Sequence, residues 1–370
     1  MQARVIPLAD LSLADESKWA ALAERAAEPN PYLEPDCVLP AWRHLPEASD
    51  LRLVVAEHAD QFLACLPIGS PQPWSRLHRA ALMGRADTTS ILLSTPLVDP
   101  AGGLDAVTVL LQGIRDQGRA LGAGLLVLDW LGDDGTVGPL LREAAAGLRM
   151  PRSELWPWQR PAMFRKADPT EYWLRELGHQ HQRKIQQKRR QLAKQIGPLE
   201  VVDRAGDPSA VAELIRLEAT GWKQTSPEGE AFARREATVR FFTELCERFA
   251  ASGRLVLLSL QSADRAAAML CCLRSGEGLF AYRIGFDEAL GRGSPGVQVF
   301  LDAMAYLHRE TDAAFLDSCT TPDNRYLPDL LPDTRSLTTM VIAIGGALDR
   351  GFVRALPLLS AAQRASGRTP

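Results

Sequence analysis

Cysteine is scarce in this sequence and is never grouped as a metal site or a disulfide framework would require. The six cysteines (Cys37, Cys65, Cys246, Cys271, Cys272 and Cys319) form no CxxC pair. That spacing argues against structural zinc and against an oxidised, secreted scaffold; the adjacent Cys271-Cys272 sits in an apolar run and reads as core. Histidine is equally sparse. Of the six, His179 and His181 are the closest pair, and two residues apart on a helix they point away from each other. No metal is expected. No apolar run approaches the roughly 18 residues of a membrane span. The opening MQARVIPLADLSLADESKW has no basic start leading into an apolar stretch, so no signal peptide is expected and the cytoplasm is the expected compartment. Nor is charge of either sign in large excess. A net charge of −3 gives no global reason to expect DNA or an anionic membrane as partner.

What is present is an ordinary globular composition, 46% hydrophobic and 24% charged, over a length of 370 residues. That length predicts two domains, placed at 1–155 and 156–370. The division falls in a segment at 150–170 rich in proline, tryptophan and arginine, which reads as a crossing between halves. The first half predicts a short strand at 4–8, helices at 15–27 and 34–45, and strands at 51–56, 62–68, 80–84 and 91–94. A helix at 104–117 and a strand at 125–131 follow. The second half opens with a basic helix, 170–196, with no acidic residue between Glu176 and Glu200. It carries Arg183, Lys184, Lys188, Arg189, Arg190 and Lys194. Then come a strand at 199–203, helices at 209–222 and 232–251, and a meander of strands at 255–260, 266–273 and 279–286 joined by short turns. The order β-α-α-β-β-β-α-β thus occurs twice, which predicts an α/β (α+β) fold of two tandem domains. Each would have a mixed, mainly antiparallel central sheet flanked by helices.

Leu279–Leu307 is the most informative stretch. Phe280, Tyr282, Ile284 and Phe286 alternate as in a strand; Val297, Phe300, Leu301, Met304 and Leu307 recur at helical spacing. Between them lies Gly291-Arg292-Gly293-Ser294-Pro295-Gly296. A glycine-rich loop leading into a helix N-terminus can hold an anion, because close backbone approach combines with N–H groups that lack intrahelical partners. The plain alternative is a tight connection without a ligand.

This order of elements resembles the GNAT N-acetyltransferase fold, in which the pyrophosphate of acetyl-CoA rests on the loop between the fourth strand and the next helix. Further features resemble the tandem, FemAB-like acyltransferases, and among them the CelD/BcsL-type cellulose-biosynthesis acetyltransferases. These are Tyr32-Leu33-Glu34-Pro35 through Ala41-Trp42, the basic helix, Leu217-Glu218 followed by Gly221-Trp222-Lys223, Gly285-Phe286-Asp287 before Ser294-Pro295-Gly296, and Leu316-Asp317. The resemblance implies an acyltransferase moving an acyl group from acyl-CoA, a cosubstrate that is not permanently bound, to an amine or hydroxyl of a small molecule, sugar or cell-envelope precursor. Its peptidoglycan-bridge members imply an aminoacyl-tRNA donor as the alternative, and a non-catalytic binding protein is a third reading.

The resemblance places the donor on the loop 287–297, with Gly291, Arg292, Gly293, Ser294, Gly296 and Val297 as its contacts. Acyl transfer needs a base for the nucleophile and a donor for the developing oxyanion. The candidates are Glu218, Asp287 and Asp317, the two aspartates being expected at neighbouring strand ends, and Tyr326 as a proton donor. Trp222, Lys223 and Tyr282 are the candidate substrate contacts. For each a structural role is the competing reading: a solvated glutamate, turn-forming aspartates, packing aromatics.

Overall fold

A computed structural model of the chain describes residues 1–74, 79–83, 92–167, 178–220, 231–263, 265–324 and 326–365. The first half runs β1 (Gln2–Pro7), α1 (Leu13–Arg25), α2 (Pro35–His44), β2 (Arg52–His58), β3 (Gln61–Ile68), β4 (Gln72–Trp74) and β5 (Arg79–Met83). It continues with β6 (Leu97–Val98), α3 (Gly103–Leu121), β7 (Leu125–Gly132), α4 (Val137–Gly147) and β8 (Arg152–Phe164). The second half runs α5 (Gly178–Ile196), β9 (Glu200–Asp203), α6 (Pro208–Ala219), α7 (Glu236–Ala251), β10 (Leu255–Ser262), β11 (Arg265–Ser275) and β12 (Gly278–Phe286). α8 (Pro295–Arg309), β13 (Phe315–Asp317), β14 (Asp333–Ala343) and α9 (Ala347–Ala365) complete the chain. Local chemistry sets several boundaries. Ser12 caps α1 by accepting the Asp15 N–H at 3.1 Å, and Asp207 with Pro208 opens α6. Gly122, at φ 75°, closes α3 in the left-handed conformation that glycine adopts without steric cost.

The chain divides into two compact units, one of residues 1–159 with 335–370, the other of the continuous segment 160–334. The first unit holds a sheet of order β1-β2-β3-β6 and strands in the order β4-β5-β7-β14-β8. The second holds the order β8-β13-β12-β11-β10-β9, antiparallel except for the β12–β13 pair. Its core gathers Leu258, Leu270, Cys272 and Leu279 from the sheet with Val299, Met304 and Leu307 from α8 and Leu192 from α5. The fold is therefore mixed α/β, with mainly antiparallel sheets flanked by helices.

Several elements differ from expectation. The 150–170 segment contains a thirteen-residue strand, β8, where a crossing is expected. The units divide at Gln159/Arg160, and the last strand and helix group with the first unit. Residues 92–94 form no strand. Helices α4 and α9 have no counterpart in the sequence reading. Phe232–Arg234 is a separate 3-10 turn ahead of α7. The first residues of the expected basic helix, 170–177, lie outside the described residues.

Candidate functional site

The second unit builds a site around β12. Paired with β11, β12 matches Cys271 to Arg283 and then Cys272 to Ala281, so Tyr282 is an extra residue, a β-bulge. Bulges bend a strand and tend to sit beside functional sites. On its other edge β12 pairs with parallel β13 only at Gly278↔Phe315, Leu279↔Leu316 and Phe280↔Asp317. β13 ends there, and Cys319 turns the chain with φ 48°. Among the described residues, β12 continues past Phe280 beyond the end of its pairing with β13. The two parallel strands form a fork.

After Phe286, Asp287 caps the 3-10 turn Glu288–Gly293, accepting the Ala289 N–H at 2.9 Å. It also pairs with Arg265 at 2.7 Å. Ser294 is left-handed (φ 50°, ψ 54°) and swings the chain into α8, whose first position is Pro295. Because the Gln298 N–H is bonded to the Ser294 carbonyl at 3.1 Å, the N–H groups of Gly296 and Val297 precede the ladder. The loop glycines have separate duties. A Cβ on Gly293 would come 2.9 Å from the Leu192 Cβ, so this glycine admits α5. A Cβ on Gly296 would come 3.1 Å from the Phe286 ring, whereas Gly291 faces open space.

α5 is fastened beside this loop. Lys188 Nζ donates to Ser294 Oγ at 2.9 Å, and Gln298 Nε2 donates to the Ile185 carbonyl at 3.1 Å. Arg189 forks onto Asp302 at 3.1 and 3.0 Å. Burial pushes the Asp302 carboxyl above its ordinary value, while Arg189 opposes the shift. Arg292 is exposed on the turn. Sequence reasoning names Lys188 in the basic helix, within a run without acids, but not among the donor-loop contacts.

The candidate acid–base residues separate. Glu218 is 4% exposed on the last turn of α6; its carboxylate forms an ion pair with Arg283, Nε to Oε1 2.5 Å, and accepts the Phe232 N–H at 3.0 Å. The Arg283 guanidinium carbon lies 3.7 Å from the centre of the Phe232 ring. A Cβ on Gly285 would come 2.8 Å from the Glu218 backbone nitrogen, so α6 rests directly on β12. Tyr282 packs against Phe242 and Phe232, ring centres 5.9 and 6.4 Å away. Asp317 is fully buried at the fork. It accepts the Cys319 N–H at 2.8 Å and lies 3.6 Å from Arg160, which is also fully buried. Removing one member of such a buried pair typically costs about 3–5 kcal/mol, since the other charge is left uncompensated. Arg160 is a missed residue, hidden in the segment read as a crossing.

Asp317 is level with Phe280, whereas Asp287 lies beyond the far end of β12. Their strands are neighbours, as expected, but seven residues of extended chain, roughly 20 Å, separate the two levels, so the two carboxylates do not share one site. Asp287 is instead a capping and ion-pairing residue. Tyr326 is 78% exposed, on the segment after β13. Trp222 and Lys223 lie outside the described residues.

Residues 179–326 match the family described as Acetyltransferase (GNAT) domain. Comparison with curated sequences finds no significant match. Among solved structures, the chain is similar to a conserved protein of unknown function from Bacteroides thetaiotaomicron VPI-5482. The identity is 12% and the TM-score 0.59, over 90% of this chain and 98% of that one. It is also similar to FemX, at 10% identity and TM-score 0.57, over 92% of this chain and 97% of FemX. At such identities the likeness is one of fold. The fork, the bulge and the loop at the α8 N-terminus all lie inside residues 179–326, the segment that matches the GNAT acetyltransferase domain family.

Proposed function

We propose that this protein is an acyltransferase whose second unit binds an acyl-CoA and whose acceptor, an amine or hydroxyl of a small molecule, sugar or envelope precursor, attacks the thioester directly. One arrangement carries the reading: a fork between β12 and β13 opening beside a glycine loop and a helix N-terminus that Lys188 and Arg292 make cationic. Free N–H groups and positive charge suit a pyrophosphate. In this reading Gly291, Arg292, Gly293, Ser294, Gly296 and Val297 form the donor loop, and the acyl arm enters the fork past Tyr282. The acceptor's lone pair forms the new C–N or C–O bond as the C–S bond breaks. Its proton passes to a carboxylate, and the departing thiolate takes one from solvent.

Asp317, the candidate acid located at the fork, carries the base role here, with Arg160 holding it in place. Glu218 is engaged by Arg283 and serves the frame around β12. The first unit contributes to the acceptor side, and the finer likeness to CelD/BcsL-type enzymes belongs to the same proposal. The exposed cations of α5 favour one rival, a ligase using aminoacyl-tRNA. Isothermal calorimetry with acetyl-CoA and longer acyl-CoAs tests the donor. Saturable binding is expected, and its absence, with salt-sensitive tRNA binding in its place, would overturn the assignment in favour of the rival.

A further inference from the structure

In the first unit, α9 carries an apolar side that its own fold does not cover. Phe352, Val353 and Leu356 are buried against Leu125, Val127 and Val341 of the sheet. Pro357, inside the helix, cannot donate to the Val353 carbonyl four residues back. Ser153 Oγ donates to it instead at 2.6 Å and fastens α9 to β8. Beside this buried side, Leu348 and Leu358 are 75% and 76% exposed, and Leu359 is exposed as well. At about 100° per residue the three leucines share a sector of roughly 100° with Gly351 and Ala355. On one border of that sector the patch continues into aromatic rings. Trp74 lies 6.5 Å from Phe352 and 6.3 Å from Trp156, centre to centre. Trp156 is exposed, and its φ of 52° is a costly conformation for a bulky residue. The other border is cationic. From residue 350 to the last, the sequence holds Arg350, Arg354, Arg364 and Arg368 and no acid. Arg354, four residues from Leu358, is exposed and has no carboxylate partner among the described residues. Asp349, the acid of this helix, is engaged with the Gly346 N–H at 3.1 Å.

We infer that α9 docks on an anionic lipid surface: its leucines and Trp156 enter the headgroup layer, and Arg354 meets the lipid phosphates. The inference stands apart from the acyl-CoA reading. Leucine and tryptophan on one side of a helix, with arginine at the border and no free acid, match such an interface in two ways. Apolar burial supplies affinity, and the cations supply the preference for negative lipid. Among the described residues no helix is long and apolar enough to cross a membrane, so the contact is interfacial. A second copy of the chain fits this face less well. An isologous contact would set the same arginines against one another, with no free carboxylate on α9 to meet them.

The test is co-sedimentation of the full chain with vesicles of phosphatidylcholine alone and of phosphatidylcholine mixed with phosphatidylglycerol. It compares the native protein, the double variant Leu348→Ser, Leu358→Ser, and Arg354→Gln, with oligomeric state followed by analytical ultracentrifugation. The native chain should bind the mixed vesicles, less tightly as salt rises, and phosphatidylcholine alone about tenfold more weakly. Both replaced leucines are largely exposed, so the double variant should keep the native circular dichroism and lose about tenfold or more in affinity for the mixed vesicles. Arg354→Gln should lose about fivefold on the mixed vesicles and nothing on phosphatidylcholine. No binding to the mixed vesicles, equal binding to both kinds, or native binding by the double variant overturns the inference. A native dimer that the double variant converts to monomer, without vesicle binding, overturns it in favour of a second copy.

Discussion

At the residue scale, the buried carboxylates divide between those already paired and one that is not. Glu218 and Asp317 each face an arginine, whereas Glu28, 7% exposed, has only one oxygen engaged, accepting the Val137 N–H at 2.6 Å. Its Oε2 has no hydrogen-bond partner among the described residues. Gly135 leaves it room: a Cβ there would come 2.2 Å from the carboxyl carbon. Burial raises the Glu28 carboxyl above its ordinary value, against the Val137 N–H and the charge of Arg335, with Asp134 adding to the rise. A carboxyl raised on folding favours the native state when protonated, so stability falls as pH climbs from the ordinary glutamate value, about 4.3, to the raised native one. Glu28→Gln keeps an acceptor for Val137 but cannot ionise. Its urea midpoint should therefore be flatter than the native chain's across that window. Parallel pH profiles for the two proteins would show that folding does not raise the Glu28 carboxyl.

The elements around the loop depend on close approach. α5 reaches the 3-10 turn only because position 293 has no side chain, and Gly293→Ala must displace Leu192 or the turn. The expected cost is about 1–3 kcal/mol, with coenzyme A affinity falling in the same variant because Lys188 moves with α5. Unchanged stability and affinity together would refute the packing argument. This region also shows what a sequence can convey. Alternating Phe280, Ile284 and Phe286 and helically spaced Val297, Met304 and Leu307 marked β12 and α8, because period-2 and period-3.6 burial leave different traces. The reason for Gly293 was not legible: close helix packing and ligand approach call for the same residue. β8 is not legible because Pro157 and Pro161 read as breakers, although the strand runs unbroken from Arg152 to Phe164. The Arg160–Asp317 and Glu218–Arg283 partners stand 157 and 65 positions apart in the chain, and no local pattern links them.

At the scale of the whole molecule, the first unit is discontinuous. β14 lies between β7 and β8 in its strand order, and its Met340, Val341 and Ile342 are fully buried. A chain ending at Thr334 lacks this strand and should lose the first unit's native packing while the continuous segment 160–334 keeps all its strands. Six of the eight tryptophans (Trp19, Trp42, Trp74, Trp130, Trp156 and Trp158) fall within residues 1–159. Their emission should move to the red in the shortened protein, and an unshifted spectrum would show that β14 is dispensable. The same connectivity bears on biosynthesis. Domains ordinarily fold from the N-terminus as the chain leaves the ribosome; here the first 159 residues must wait, with β7 and β8 unjoined, until β14 has been translated. The continuous unit 160–334, though second along the chain, is the first that can finish folding.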